Sequence, residues 1–369
     1  MTSSDLYPVS RLAAVQEATA KAGLDALLLT PGPDLRYVSG YDAKQLERLT
    51  CLVVPASGEA YMMVPRLELP AAQASPASRL GLEFVAWDET DDPYAIAAAR
   101  LGRAAKVGLA DRMWAMASLR FRDALPGAEQ VLAGSVLREL RMRKSPAEVA
   151  ALREAGEAID SVHRRVPEFL RAGRTEREVA RDIAEAILAS GHAAADFVIV
   201  ASGPNGASPH HDVSDRVIQA GEPVVVDIGG HLPNGYCSDS TRTYSVGEPP
   251  AEFTAYYEVL HRAQEASCAA VRPGVSCESI DAAARDVIAE AGYGEYFIHR
   301  TGHGIGIEGH EDPYIVAGNG EPLEAGFAFS VEPGIYLAGR HGARIEDIVV
   351  CTEDGVERLN NTTRELVVI

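Results

Sequence analysis

Carboxylates stand in this sequence where apolar strands would ordinarily exclude them. Asp227 follows the β-branched run Val224-Val225-Val226 and precedes Ile228-Gly229-Gly230. Glu332 follows Phe329-Ser330-Val331, and Glu346 stands just before Ile348-Val349-Val350. A carboxylate buried in such a strand is costly unless it is paired or binds a cation. Asp239, in Ser238-Asp239-Ser240-Thr241-Arg242, and His303, in Gly302-His303-Gly304-Ile305-Gly306, belong to the same stretch of chain. Acids converging in a core repel one another, and a divalent cation removes that repulsion. Four carboxylates and an imidazole suit two hard or borderline cations such as Mn²⁺ or Co²⁺, and are compatible with Zn²⁺.

Taken singly, each residue has a plainer reading. Asp227 serves as a turn or cap residue at a strand end, Asp239 as a local cap, and His303 as a loop histidine. Glu332 before Pro333-Gly334 reads as a solvated turn residue, and Glu346 as an ion-pair partner of Arg344. Gly-x-Gly patterns like the one around His303 are common. The specific signal is the ordered set of five.

The elements that must position these residues are legible in outline. Val9 to Lys21 has helical periodicity and ends at Gly23; the apolar run Ala26 to Thr30 is then broken by Pro31-Gly32-Pro33. Cys51 to Val54 and Ala60 to Val64 read as two strands joined by a turn, with further short apolar runs at Leu82 to Val85 and Val107 to Leu109. This is an α/β layout compatible with a mixed sheet. A domain boundary falls near Gly134, giving domains 1–134 and 135–369. Beyond it, Ser145-Pro146-Ala147-Glu148 forms a capping box that opens a long helix, expected to run to about Phe169. Gly173-Arg174-Thr175 and Gly274-Val275-Ser276 each open a helical stretch ending near a glycine, Gly191 and Gly292, and lie 101 residues apart. Two related halves would leave this trace.

Composition bounds the rest. With 369 residues, 47% of them hydrophobic, the chain can bury a core without disulfides or structural metal, so a bound metal would be functional. A net charge of −19 with no basic block argues against nucleic acid as a partner. The five cysteines are scattered, odd in number and free of CxxC spacing, which argues against a disulfide framework or zinc ribbon and makes a cytoplasmic setting the expectation. No apolar run is long enough to span a membrane, and the N-terminal residues lack a signal-peptide core.

The ordered motifs resemble the creatinase-like metallopeptidases with the pita-bread fold, in the branch of Xaa-Pro dipeptidases and aminopeptidases P. The likeness runs through Asp227-Ile228-Gly229, Ser238 to Thr243, Gly302 to Gly306, Glu332-Pro333-Gly334-Ile335-Tyr336 and Arg344-Ile345-Glu346-Asp347, with Ser208-Pro209-His210 and Tyr37 to Gly40 as lesser matches. It implies an α/β (α+β) chain: a creatinase-like N-terminal domain, then a pita-bread catalytic domain with a pseudo-twofold repeat. It also implies two metal ions per chain, most readily Mn²⁺, held by Asp227, Asp239, His303, Glu332 and Glu346. A metal-bridging hydroxide would attack the scissile carbonyl, with Glu332 shuttling a proton. His299, His310 and His210 would face the substrate, Arg344 would orient the carboxylates, and Tyr336 would help position the reacting group. His211, beside His210 in an extended stretch, is expected at the surface.

The implied activity is hydrolysis of short proline-containing peptides by a homodimeric Xaa-Pro dipeptidase (prolidase). Aminopeptidase P, acting on longer peptides, is the alternative. A metal-free creatinase-like amidinohydrolase lacks the acidic ligand set, a non-catalytic metal-binding protein on this fold usually loses ligands, and methionine aminopeptidases lack the large first domain.

Overall fold

The computed structural model describes residues 6–369, which divide into two compact units, one ending at Arg141 and the other starting at Met142. The first unit opens with α1 (Val9–Lys21), which buries Leu12 and Val15. There follow β1 (Ala26–Leu29), α2 (Pro33–Ser39), β2 (Cys51–Pro55), β3 (Tyr61–Pro65), α3 (Leu69–Ala74) and β4 (Glu83–Trp87). α4 (Pro93–Leu101), β5 (Lys106–Leu109), α5 (Ala115–Ala124) and β6 (Glu129–Leu132) complete the alternation. Among the described residues the strands of this unit form one mixed sheet in the order β4-β3-β2-β1-β5-β6. Leu28, Val53 and Met63 fill the core on one face, while Leu27, Leu52 and Met62 are equally buried on the other. Burial on both faces explains why these strands read as unbroken apolar runs rather than as alternating ones. Tyr37 and Tyr41 are buried packing residues, and α2 ends at Gly40 in the left-handed region.

α6 (Gly134–Met142) runs up to the division, and α7 (Pro146–His163) follows it. Ser145 and Glu148 exchange the two capping-box hydrogen bonds expected at its start. The expected continuation to Phe169 does not occur. α7 stops at His163, and after Arg164-Arg165 the chain makes the single turn α8 (Val166–Phe169). Pro167 explains the break, because it has no N–H for the His163 carbonyl and its ring would clash with that carbonyl in a continuous helix.

The remainder is built twice. α9 (Glu176–Ala189), capped by Thr175, precedes β7 (Ala194–Ser202), β8 (Glu222–His231) and β9 (Cys237–Val246). After α10 (Ala251–Ala270), α11 (Cys277–Glu290) is capped by Ser276. It precedes β10 (Gly302–Gly304), β11 (Glu311–Ile315), β12 (Ala328–Val331), β13 (Gly334–Leu337), β14 (His341–Arg344), β15 (Asp347–Thr352), β16 (Gly355–Arg358) and β17 (Val367–Val368). The repeat read from the sequence is carried by matching backbone bonds. The N–H groups of Gly173 and Gly274 donate to the Ile218 and Leu323 carbonyls at 2.9 and 2.8 Å, and those of Glu176 and Cys277 to Arg216 and Glu321 at 3.1 and 2.9 Å.

Two sheets result, β17-β9-β8-β7, in which the C-terminal strand β17 joins the strands of the first half, and β11-β10-β12-β15-β16 from the second. In β8, Val224, Val226 and Ile228 pack with Ile159 and Ile183 of the helices. Period-two alternation sends Asp227 to the other face. In the second sheet Phe329, Val331 and Val349 pack with Ile280 of α11, leaving Ser330 on the opposite face. No described helix is long and apolar enough to cross a membrane, and all five cysteines are free and buried.

Candidate metal centre

The five acidic and imidazole residues singled out above converge. In the antiparallel pair β8–β9, Asp227 lies opposite Thr241 and Asp239 opposite Gly229, so the two acids share a face as diagonal neighbours. Glu346 enters from the link between β14 and β15, pinned by its N–H to the Thr241 carbonyl at 3.1 Å. Glu332 follows β12, its N–H bonded to the Thr301 carbonyl at 2.8 Å. Three overlapping triads result: Asp227-Asp239-Glu346, His303-Glu332-Glu346 and Asp239-His303-His310. The ligating atoms of each lie within 4.8 Å of one another.

The glycines flanking His303 are steric requirements. A Cβ at Gly302 would sit 1.8 Å from the Ser330 carbonyl oxygen, and one at Gly304 2.2 Å from that of Asp312. Only glycine lets β10 come this close to its neighbours, and that approach carries His303 to the acids.

The donor set fits divalent cations. His303 Nδ1 is 3.1 Å from the Gly304 carbonyl, which only accepts, so Nδ1 carries the proton. Nε2 then turns its lone pair toward Glu332 Oε1 at 3.2 Å and Asp239 Oδ2 at 3.7 Å. Acceptors facing acceptors need a cation between them, either a proton or a metal. Asp227 Oδ1 is buried without a hydrogen-bond partner, although Oδ2 is held by Arg344 Nη2 at 2.5 Å. Burial, followed by the charges of Asp227 and Glu332, pushes the Asp239 carboxyl well above its usual range. Burial and then Asp239, Glu332 and Asp227 do the same to Glu346. Glu332 goes the other way. Burial would raise it, but the hydrogen bond and charge of His303 hold it down at about 2. Acids that retain protons because they are buried and crowd one another are the kind that metal ions deprotonate and bridge.

The cluster lines a cavity of about 970 Å³, whose wall also includes His210, His299, His310 and Arg344. Arg344, expected as a partner for Glu346, pairs with Asp227 instead and reaches Glu346 only through Thr241. Its Nε donates to Thr241 Oγ1 at 3.1 Å, and Thr241 Oγ1 donates to Glu346 Oε2 at 2.7 Å. Tyr336 is buried behind the wall, with its hydroxyl 2.8 Å from Arg344 Nη1 and 2.9 Å from His299 Nε2. Tyr336 therefore acts through those two residues. His310 stacks on His303 at 3.8 Å between ring centroids, and burial followed by the charge of His303 pushes it down to about 4. His210 is exposed at the cavity edge.

His211 corrects an expectation. It is half-buried rather than at the surface, and it lines the same cavity as His210. Its Nε2 lies 2.8 Å from the buried carboxylate of Glu176 at the start of α9. Glu176 also accepts from the Ser202 and Ser214 hydroxyls and from Asn205. Burial alone would raise Glu176, but these bonds, led by Ser214, lower it. Glu176 was invisible to sequence reading because it looks like an ordinary first-turn glutamate. Arg300 was missed too: it stands between two motif residues and lines the same cavity.

Comparison with known proteins fits this geometry. The model of metallopeptidase family M24 matches residues 150–353, and that of the creatinase/prolidase N-terminal domain matches residues 11–143. The chain belongs to metallopeptidase family M24. This M24 chain is similar to the solved dipeptidase PepE of Mycobacterium ulcerans, with 57% identity and a TM-score of 0.92 over 98% of this chain and 97% of that one. It is similar to the solved prolidase of Thermococcus sibiricus, with 38% identity and a TM-score of 0.91 over 97% of this chain and 98% of that one. It is 35% identical to the Xaa-Pro dipeptidase of Lactobacillus delbrueckii subsp. lactis, over 94% of this chain and 95% of that one. The chain is thus a metallopeptidase with a creatinase-like N-terminal domain and a pita-bread domain, as the motifs implied. The family implies divalent metal ions, for which this cluster supplies the donors.

Proposed function

We propose that this metallopeptidase is a Xaa-Pro dipeptidase of the cytoplasm, a homodimer loaded with two Mn²⁺ per chain. The observation that carries the reading is the convergence of Asp227, Asp239, His303, Glu332 and Glu346 in one cavity. The likeness to proteins named dipeptidase, prolidase and Xaa-Pro dipeptidase supports the substrate class.

Asp227, Asp239 and Glu346 would hold one cation, and Asp239, Glu346, His303 and Glu332 the other. When bound, such a pair polarises a carbonyl and makes water nucleophilic near neutral pH. The chain's own residues do the rest. Arg344 fixes Asp227 directly and Glu346 through Thr241, so the acids keep one geometry. Glu332, steadied by the Ser330 hydroxyl at 2.9 Å, accepts the proton of the attacking water and passes it to the leaving amine. His310 lies 3.3 Å from Arg300 Nη2, and a guanidinium only donates, so His310 Nδ1 accepts and Nε2 bears the proton. That N–H is the donor for the scissile carbonyl oxygen as negative charge grows on it.

The test is hydrolysis of a Xaa-Pro dipeptide and a Xaa-Pro tripeptide by metal-stripped protein, with and without Mn²⁺. Cleavage of the dipeptide only after Mn²⁺ is added is the expected result. Preference for the tripeptide would make the enzyme an aminopeptidase P. Full activity in exhaustively stripped protein would overturn the metal reading, and inertness toward both peptides with two metals bound would overturn the substrate reading.

A further inference from the structure

Every residue from Ser208 to Val213 lines the cavity of the acidic cluster, and this stretch carries His210. Its hold on the rest of the chain is slight. The Ser208 N–H donates to the Asn205 carbonyl at 3.0 Å, and the Ser214 carbonyl accepts from the Arg177 N–H at 3.1 Å. Between those points, among the described residues, no backbone group of 209–213 bonds to another backbone group. Val213 packs against the core around Ile183 and Val224. The one side-chain hydrogen bond made by 209–213, among the described residues, is that of His211 Nε2 to Glu176 Oε2 at 2.8 Å.

Glu176 is the fixed end of that tether. Its Oε1 accepts from the N–H and the hydroxyl of Ser202, both at 2.8 Å, and from Asn205 Nδ2 at 2.9 Å. Oε2 accepts from the N–H and the hydroxyl of Ser214 at 3.2 and 2.6 Å, and from His211. An ionised carboxylate only accepts, so His211 Nε2 carries the proton. The side chain of Glu176 is 0% exposed, and a carboxylate buried so deeply is costly unless donors surround it. The helix has no need of it, because the first turn of α9 is already closed by the capping box of Thr175 and Glu178. Its side-chain partners lie instead just before, within and just after the stretch that carries His210. We infer that Glu176, acting through His211, is the positioning residue for the His210 wall of the cavity, an inference that rests on the reading of the chain as a peptidase acting at this cluster. Glu176 fixes the segment from behind and does not line the cavity itself. Without the tether, the residues between the two anchored ends lose their one polar restraint, and His210 loses its place at the cavity edge.

The test reads the segment first and the reaction second. Backbone amide order parameters of His210 to Val213 are measured by NMR on the full-length protein, with diamagnetic Zn²⁺ in place of Mn²⁺. In the parent they should lie near about 0.85, and in His211→Phe, which keeps a ring and loses the donor, below about 0.6. His211→Gln, whose amide can still donate to Glu176, should restore part of the order. On a Xaa-Pro dipeptide with Mn²⁺, His211→Phe and Glu176→Gln should each raise KM about ten-fold or more with kcat little changed. The double variant should be no worse than the worse of the two, because both remove the same tether. Losses that add would mean that His211 meets the peptide on its own account, and would overturn the inference. So would a fall in kcat at constant KM, the mark of a smaller folded fraction, or a segment that is flexible in the parent or stays rigid in His211→Phe. Should Glu176→Gln fail to fold, the two His211 variants still decide. Because the order parameters need no peptide, they decide on the tether even if no dipeptide is hydrolysed, an outcome that would strike the proposed function instead.

Discussion

Glu346 and Asp347 are adjacent acids in one buried strand connection, yet they live in opposite electrostatic worlds. Glu346 faces Asp239, Glu332 and Asp227, and burial together with these like charges raises its pKa. Asp347 faces the other way, toward Arg242 at 2.7 Å, Arg364 at 2.5 Å and Gln264 at 2.8 Å. Burial would raise it too, but the two guanidiniums win and hold it below its usual range. The backbone alternation that separates their side chains separates their roles. One acid is compensated by protein and holds the fold together. The other is left for a cation from outside.

That contrast can be broken most sharply at its two poles. Asp239→Ala should lower kcat/KM by at least about 10³-fold while the metal-free protein keeps its stability, since it removes one of several mutually repelling acids. Asp347→Ala should instead cost about 3–5 kcal/mol, because it strands Arg242 as a buried, unpaired charge. Urea unfolding and peptide hydrolysis, measured on both variants, read the two effects. Loss of stability in the first and not the second would invert the comparison.

Metal should then act as the missing compensation. Mn²⁺ at about a hundred times its dissociation constant should stabilise the parent by about 2.7 kcal/mol, with a rise in Tm, and should do much less for Glu346→Gln. The pH dependence has a definite sign. In metal-free protein the folded Asp239 and Glu346 hold protons above their ordinary values of 3.8 and 4.5. Their contribution is therefore favourable in acid and is lost as pH rises through the raised folded values. Asp347 runs oppositely: its contribution is present above 3.8 and is lost as pH falls through its depressed folded value. The thermal midpoint of the metal-free parent should thus fall relative to that of Glu346→Gln as pH rises above 4.5, and added Mn²⁺ should oppose that fall.

Two smaller changes sharpen the picture from either side. Thr241→Val removes the link from Arg344 to Glu346 and should lower kcat roughly ten-fold with little change in Tm. Gln264→Leu removes only a neutral donor to Asp347 and should cost about 1 kcal/mol, with activity intact. Steady-state kinetics and thermal melts on the same preparations check both.

Much of this was legible in the sequence, and for local reasons. Acids inside β-branched runs report an environment that must neutralise them, whatever the fold. The capping residues Ser145, Thr175 and Ser276 mark helix starts because they satisfy backbone donors within a few residues. The repeat showed because two halves with the same hydrogen-bonding needs keep glycine and hydroxyl residues at the same offsets. The break at Pro167 was overlooked because periodicity alone runs through a proline that sterics forbid.

What the sequence could not decide are relations between distant segments. Arg344 stands two residues from Glu346, yet its partner is Asp227, brought to it by the meeting of the two halves. His211 was expected in solvent because nothing local announces that Glu176 would be waiting opposite it. The sequence by itself determined which residues are too costly to bury alone. The tertiary structure decided which of them meet, because pairing, repulsion and desolvation depend on ångström-scale distances that no spacing along the chain encodes.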